Sequence, residues 1–550
     1  MTTAPGSYVT TAARQAGAST ATPPAASAFL AGVSLWGPTG TVTLCKSLSE
    51  YLEAQYPGLG ALDGDLELIL ALFAAGGFPV SQIEGGITAV ASLFDEGLER
   101  LYVRRVVGPA AATATLVLVD DDDDPAFTVS GRYVGELANL VTVAVDDGTD
   151  SGIKVTVGAD DDALGGDIVL DNLASNAAAV AAINSHPLLS AVVVAVAGEG
   201  GIAVTAAADN LAGGATGFGS ITSAGILEAA TFPVELGPGV LVDASGALVD
   251  ALISGDAPTA ADTVEGWGAM LNSTRRILLL HKQLAAGTEA QLVTELEELA
   301  GKRSGLLVEL TARHGEAAAN ELVSGIGYVV GYVPRRGVIT GVDIVVPAVT
   351  LAVGARARAI ANVGPHQAPA GVNGLSVANA APLVSATSDS TGIAGSDTVL
   401  TLIHAAGGNA VRRIAGTTRL YGWRSIAGDA SDWVMLTARD VVNAIAGEAD
   451  TRTEELPFAF VDGKGHAFAR LEGILTGIAQ EYATAGALYP GLDDAGIEVD
   501  PGYTVDTGPS VNTPATIAAG QIIGVLGVRP TPTASVVLIT VRRASVGGPI

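Results

Sequence analysis

The sequence predicts an α/β (α+β) main domain built on a mixed sheet, interrupted by an inserted all-β domain of sandwich or barrel type. Three observations lead there. Strand-like and helix-like segments alternate from Phe29 to residue 108, and the alternation returns after about Phe232. Between them, residues 109–230 hold short β-rich runs separated by Asp/Gly turns. Charge divides in the same place: the chain carries a net charge of −29, yet between Val106 and Ser273 only Arg132 and Lys154 are basic. At 550 residues the chain is too long for one ordinary core, and about two to four domains are expected.

Residues 1–28 are small, polar and punctuated by proline. By composition they are a disordered tail or an extended arm ordered on a neighbour. "AFLAGVSLWGPTG" reads as a strand ending in a Gly-Pro turn. "SLSEYLEAQYPG" reads as a short amphipathic helix, with Ser47 or Ser49 as its cap and Pro57-Gly58 as its stop. "LYVRRVVG" (101–108) is a further strand. In the insert, "ATATLVLVDDDDDPAFTVSG", "NLVTVAVDDG" and "SGIKVTVGADDDALGGDIVL" are strands, and "NLASNAAAVAAINSH" is the one helical candidate. Beyond it, "TEAQLVTELEELAGKR" has capping-box spacing between Thr288 and Gln291, with Leu292, Leu296 and Leu299 on one face. "SGLLVELT" follows as a strand. "DIVVPAVTLAVGARA", "TRLYGWRSIA", "DWVMLTARDVVNAIAG" and "LPFAFVDG" continue the α/β pattern. After a Pro-Thr-Pro break, "SVVLITVRR" is a β-type run with no following strand to pair with.

Composition excludes several classes. An acidic surface repels phosphate, so nucleic acid is not an expected partner. The single cysteine, Cys45, permits neither an internal disulfide nor a thiolate cluster. No signal peptide is read at the N-terminus, and the apolar runs are too short to span a bilayer. A soluble protein made in a reducing cytoplasm, with no membrane insertion, is expected. Chemistry is no better supported. No histidine has metal-ligand spacing, and H-E-x-x-H, C-x-x-C and G-x-S-x-G are absent. The Gly32-to-Gly37 spacing resembles a phosphate loop, but Pro38-Thr39 stands where Lys-Ser/Thr is required. The aspartate run at 120–124 reads as a solvated turn rather than a calcium site, because a site needs ligands folded around one point. "VDGKGH" (461–466) reads as a strand-connecting turn, and His366 as a structural hydrogen-bonder rather than a base. No enzyme, no metal and no cofactor are expected.

The loop "GPHQAPAGVNG" (364–374) has two prolines, three glycines and no formal charge. Around it the order of motifs resembles the contractile tail sheath family, the sheaths of contractile-tailed phages and related injection machines. In that family a strand beginning with Val-Pro leads to an Ala-Gly-x-x-Ala-Arg run and then an "APAGVN" loop. Here "VPAVTLAVGARA" (346–357) precedes "HQAPAGVNG" (366–374), and Asn409, Arg412, Arg413 and Gly416 lead into "LYGWRSIA" (420–427). "APGSYV" (4–9), "AGVSLWGPTGTVTLCKSLSEYLEAQYPG", "LFDEGLERLYVRRVVG" (93–108) and "GELANLVTVAV" (135–145) resemble successive motifs of the N-terminal half. "PSVNTPATIAAGQIIGVLGVRPTPTASVVLITVRR" (509–543) resembles the closing segment. The resemblance covers nearly the whole chain. Ala138 departs from a family glycine, Thr533-Ala534-Ser535 from Pro-Ala-Glu, and a lone Arg439 from a frequent Arg pair.

The resemblance implies a structural protein of the tail sheath. Hexameric rings would stack helically around a tail tube, then contract to drive the tube through the host envelope for genome delivery. A bacterial injection-system sheath is the alternative within the family, and an acidic β-rich surface adhesin is the rival outside it. Implied partners are further copies of itself, the tail tube protein, and baseplate and tail terminator proteins, in a virion assembled in the host cytoplasm. Implied domains are an N-terminal arm (1–28), the first part of the main domain (29–108), the acidic insert (109–230), the tube-facing α/β part (231–530) and a C-terminal arm strand (531–550). In the arms, Tyr8, Val9, Val536, Val537, Leu538 and Ile539 would join sheets of neighbouring subunits. "GVRPTPTAS" would be a hinge. Pro365, Pro369, Gly371 and Asn373 would form a packing loop, because proline fixes φ and glycine permits turns. Arg439, Arg452, Glu454 and Glu455 would face the tube.

Overall fold

The structure, a computed structural model, describes residues 27–33, 36–39, 42–58, 87, 89–107, 110–159, 166–203, 206–215, 268–272, 278–282, 326–330, 332–339, 342–371, 403–404, 407–414, 417–425, 433–461 and 463–534. Both arm strands, Asn373, and the segments "TEAQLVTELEELAGKR" and "SGLLVELT" lie outside these residues.

The chain opens with β1 (Ser27–Val33), β2 (Val42–Cys45), α1 (Leu48–Gln55), α2 (Ala89–Asp95) and β3 (Arg100–Val106). Of the two candidate caps, Ser47 is the one used. Its hydroxyl accepts from Glu50 N at 3.2 Å, and the Glu50 carboxylate accepts from Lys46 N at 2.7 Å. The phosphate-loop lookalike is a packing turn. Trp36 is fully buried and donates to Pro57 O at 3.1 Å, and Gly37 has a φ of +102°. A side chain at Gly37 would run into the last carbonyl of α1.

The next stretch carries β4 (Thr115–Val119), β5 (Pro125–Gly131), β6 (Val141–Asp147), β7 (Ile153–Ala159) and β8 (Ile168–Leu173). Helices α3 (Asn176–Ser185) and α4 (Leu189–Val192) follow, then β9 (Val193–Ala197) and β10 (Ala206–Asn210). They form two antiparallel sheets, in the orders β4-β5-β9 and β10-β6-β7-β8. Among the described residues neither sheet closes into a barrel. β6 and β7 alternate buried and half-buried residues, with Val143, Val145, Val155 and Val157 at 0% exposure. α3 is capped by Ser175, whose hydroxyl accepts from Ala178 N at 3.2 Å, and it packs against β9, β8 and β5, burying Ala179 and Ile183. The aspartate run is a turn between β4 and β5. The Asp120 carboxylate is turned inward and accepts from the backbone of Asp122, Asp124 and Gly201, which holds it below the usual carboxylate range.

The chain then returns with β11 (Gly268–Asn272), β12 (Leu278–Lys282), β13 (Ile326–Val330), β14 (Tyr332–Ile339), β15 (Val342–Pro347), α5 (Ala348–Asn362), β16 (Gly408–Ile414) and β17 (Thr417–Tyr421). Eight strands make one mixed sheet in the order β17-β16-β13-β12-β11-β1-β3-β2. β1 lies parallel to β3 and antiparallel to β11, so strands from before and after the two small sheets are neighbours. One expectation is corrected here. Val346-Pro347 closes a strand rather than opening one, and 348–362 is a helix. Proline lacks the donor a continuing ladder needs, and the alanine-rich run after it favours helix.

The last part comprises α6 (Leu436–Thr453), α7 (His466–Thr484), β18 (Gly491–Leu492), β19 (Glu498–Asp500), β20 (Tyr503–Asp506), α8 (Pro514–Ala518) and β21 (Val525–Val528). Val441, Ile445, Leu471, Leu475 and Ile478 form its core, with Leu456 and Leu488 at its margins. "VDGKGH" leads into α7 rather than between strands, with Gly465 at the helix start in a φ of +83°.

Candidate functional site

Sheet edges are where one chain of this fold can bond to another, so the candidate site is built from them. The edge strand β17 is covered from within the chain. α5 ends at Asn362, and the proline-rich loop carries Ala370 into a parallel bridge with Leu420. Gly371 N donates to Leu420 O at 2.9 Å, and Gly371 adopts a φ of +76°. Pro369 is buried and Pro365 half-buried. The loop is therefore a joint that occupies the centre of an exposed edge. The imidazole of His366 is half-buried, and its Nδ1 has no hydrogen-bond partner among the described residues. Burial lowers its pKa.

The edge of β9 is closed by a different device. Asn184, on α3, accepts from Ala195 N at 2.9 Å and donates to Ala195 O at 2.8 Å. One side-chain amide thus satisfies the outward backbone pair at the middle of that strand.

β20 and β21 have no such cover. They pair with each other in register, Tyr503 to Val528 and Asp506 to Val525, and with no other strand among the described residues. Tyr503, Val505, Leu526 and Val528 pack on the α6/α7 core but stay only partly buried. Thr504, Asp506, Val525 and Gly527 face outward. A two-stranded sheet is marginal on its own, and its open edges hold unpaired backbone donors and acceptors. The chain leaves this sheet along a fixed path. Pro530 bridges Leu488, Thr531 bonds Gly486 O at 2.7 Å and Ala487 O at 2.9 Å, and the Thr533 hydroxyl meets that of Thr437 at 2.8 Å. The segment "GVRPTPTAS" is thus tied down as far as Thr533, and a pivot can begin only after it.

Two ion pairs hold α5 to its neighbours. The Arg356 guanidinium grips Asp440 of α6 through two bonds, at 2.6 and 3.1 Å, with both side chains 2% exposed. Trp423 Nε1 also donates to Asp440, at 3.3 Å. Burial pushes the Asp440 carboxyl up and Arg356 opposes it. Two residues on, and so about 200° around the helix, Arg358 pairs with the fully buried Glu96 beside α2. Gly354 lets α5 approach that contact, since any Cβ there would strike Glu96. None of these four roles was singled out in the sequence. Paired arginines in an alanine-rich helix were the available signal, but their acidic partners lie 84 and 262 residues away.

The four residues expected to face a tube lie at different depths. Arg439 is 1% exposed, inside the fold, with its guanidinium carbon 5.3 Å from the Trp433 ring centre. It presents no charge to the surface in this conformation. Arg452 reaches across to Glu481 at 2.6 Å and back to Glu448. Glu455 pairs with Arg470 at 2.7 Å, and Glu454 is exposed at the end of α6. Arg452, Glu454 and Glu455 thus share one charged end of the helix. No helix among the described residues is long and apolar enough to cross a membrane, and none of their acidic, histidine or cysteine side chains cluster as metal ligands.

Among the solved structures that this chain resembles are sheath proteins. The sheath tail protein of Desulfitobacterium hafniense is 11% identical, with a TM-score of 0.42, over 86% of this chain and 88% of that one. The sheath tail protein Lin1278 of Listeria innocua is 12% identical, with a TM-score of 0.41, over 88% of each. The sheath of the PVC extracellular contractile injection system, in its contracted state, is 15% identical, with a TM-score of 0.35. That match spans 48% of this chain and 63% of the PVC protein, less than two thirds of its length. No family model matches the sequence, and no curated protein does.

Proposed function

We propose that this chain is the subunit of a contractile sheath, a structural polymer of stacked hexameric rings around a tube. The observation that carries the reading is the uncovered β20–β21 sheet. Two other edges, at β17 and β9, are closed by a loop and by an amide, whereas among the described residues this pair is left open on a half-covered apolar face. Beyond Thr533 the chain continues into a run whose Val536, Leu538 and Thr540 alternate with Val537, Ile539 and Val541. A strand apolar on both faces is suited to a sheet covered on both sides. Added to β20–β21 of a neighbour, it would supply main-chain bonds and further cover for α6 and α7. Val536, Val537, Leu538 and Ile539 are the donor residues in this reading. Tyr8 and Val9 do the same at the other end of the chain. The order of sequence motifs supports the same family.

The charged end of α6, with Arg452, Glu454 and Glu455, is the proposed tube contact, and Arg439 supports it from beneath. Polar contacts suit a sheath that must grip and then release. Pro365, Pro369 and Gly371 belong to the loop that holds the β17 edge closed, which directs strand addition elsewhere; Asn373, outside the described residues, is assigned to the same packing loop only by the order of motifs. Contraction is the relaxation of a metastable extended lattice, with baseplate and terminator proteins at its two ends, and no cofactor takes part.

Removal of residues 535–550 tests this. The truncated chain is expected to stay a folded monomer, with an unchanged circular dichroism spectrum. Negative-stain micrographs should then show no tubes or stacked rings, with or without the tube protein, while the full chain forms them. Intact polymers from the truncated chain would falsify the strand-addition reading.

A further inference from the structure

Two exposed apolar features flank α7. Ahead of it, Phe458 and Phe460 are each 88% exposed. The loop that carries them is not slack. Leu456 is buried in the core, Ala459 N donates to Leu456 O at 2.8 Å, and Glu455 is held by Arg470 in the second turn of α7. That bond closes a turn over Leu456-Pro457-Phe458-Ala459. Proline stands at its second position, and Phe458, at the third, has a φ of +64°. These are features of a type II turn, whose third position belongs to glycine or asparagine. A bulky residue at positive φ is an outlier, and strain retained at an exposed position points to use.

Behind α7, the β18–β19 hairpin leaves Leu492, Ile497 and Val499 exposed at 47%, 64% and 66%. Its polar groups are satisfied internally. The Asp493 carboxylate accepts from Ala495 N at 2.9 Å and Ile497 N at 2.8 Å, and Asp500 accepts from Gly502 N at 2.8 Å and Arg529 at 2.9 Å. The hairpin is a fixed shape with its aliphatic side chains turned out.

We propose that these features are the two halves of a contact between copies of this chain, in which the Phe458/Phe460 tip of one copy seats on the β18–β19 hairpin of the next. Three points favour a second copy as the occupant. The halves sit at opposite ends of a helix of 19 residues, about 28 Å long, so they do not meet within one chain. They differ in shape, a protruding aromatic pair against an aliphatic hairpin, and a contact between unlike patches repeats head to tail rather than closing a pair. Charge adds one opposite pair: Lys464, four residues after Phe460, is exposed, as are Asp494 and Glu498 on the hairpin, while Glu455 ahead of the tip is already engaged by Arg470 and exposed Glu454 is a like charge that the contact keeps apart. Two phenylalanines bring on the order of 300–500 Å² to such a contact. A stable interface buries about 1,200–2,000 Å² in total. The contact is therefore weak alone and acts within a polymer already held by other bonds.

The test uses the full chain carrying F458C and V499C together. Cys45 is buried, with a thiol pushed up to about 12, and stays silent. Oxidation of the concentrated protein is expected to give a ladder of dimers, trimers and longer species on a non-reducing gel. Each single variant should remain monomeric. Dimers from F458C alone would mean a symmetric contact and would overturn the proposal. Micrographs of the same samples separate the two readings. Polymers without a ladder remove this contact and leave the sheath reading standing; no ladder from the double variant together with no polymers from the unsubstituted chain removes both. Phe458→Gly is the second variant. It relieves the left-handed strain, so the melting temperature is expected to hold or rise, while the critical concentration for polymers rises about tenfold, equivalent to about 1.4 kcal/mol. An unchanged critical concentration would also overturn the proposal.

Discussion

Asp440 is the residue on which the C-terminal half depends most. It receives two bonds from Arg356 and one from Trp423, and all three side chains are buried. Asp440→Ala would leave a buried guanidinium without its counter-charge, and the expected loss is about 3–5 kcal/mol. Arg356→Met with Asp440→Leu removes both charges and is expected to restore most of that loss, because a volume-matched apolar pair avoids the desolvation cost. Urea midpoints of the single and double variants check both statements. Arg452→Ala, which breaks an exposed pair with Glu481, is expected to shift the midpoint far less. Burial is also where sequence reasoning misplaced a residue. Arg439 was expected to face the tube because its segment resembles the tube-lining region of the sheath family. Its depth is set by Trp433 and by the helix face it occupies, and a linear reading contains neither.

At the scale of elements, the most instructive feature is the treatment of strand ends and edges. Asn184→Leu keeps roughly the volume of the side chain but strips the amide from the β9 edge. The expected results are faster hydrogen exchange at the Ala195 amide, a loss of about 1–3 kcal/mol, and a greater tendency to aggregate through the uncovered edge. Exchange measured by NMR or mass spectrometry reads this out, and a protected Ala195 amide in the variant would contradict it. Locally coded elements were legible in the sequence. Ser47, one of the two caps the sequence offered, is the one used, the helix expected in "NLASNAAAVAAINSH" forms, the aspartate run is a turn, and strands lie on either side of it. The segment after Val346-Pro347 was not, since a proline that opens a strand and a proline that closes one ahead of a helix look alike in sequence. That 364–371 is an uncharged loop was legible from its prolines and glycines. Its partner, Leu420, lies in a strand beyond any local pattern.

For the whole molecule, charge opposes the assembly proposed above, and the proposed contacts between copies must overcome it. A net charge of −29 makes every subunit repel the next. The sequence pI of about 4.4 marks where that repulsion vanishes. Whether the fold survives there depends on its carboxylates. Asp500 is held below the usual range chiefly by its bond from Arg529, Asp506 by Ser510, Asp171 by Thr149 and Asp120 by backbone donors. For such groups the folded pKa lies under the unfolded value of about 3.9. Their contribution to stability is therefore complete above that value and is lost only as the pH falls through the lower, folded values. Asp440, pushed up by burial, works in the opposite direction. A window follows just above about pH 4, where the subunit is near neutral and the depressed carboxylates still hold the β18–β19 hairpin and the ends of β20. Polymerisation is expected to strengthen as the pH falls from neutrality toward the pI, and to collapse with the fold once the pH falls through the lowered carboxylate values. Added salt should imitate the first effect at neutral pH, since raising ionic strength from about 0.01 to 0.15 M shortens the screening length from about 30 to 8 Å. Sedimentation of polymers across pH and salt, with circular dichroism on the same samples, checks both limbs. Polymers that weaken with added salt at neutral pH would show instead that attraction between opposite charges holds the lattice together.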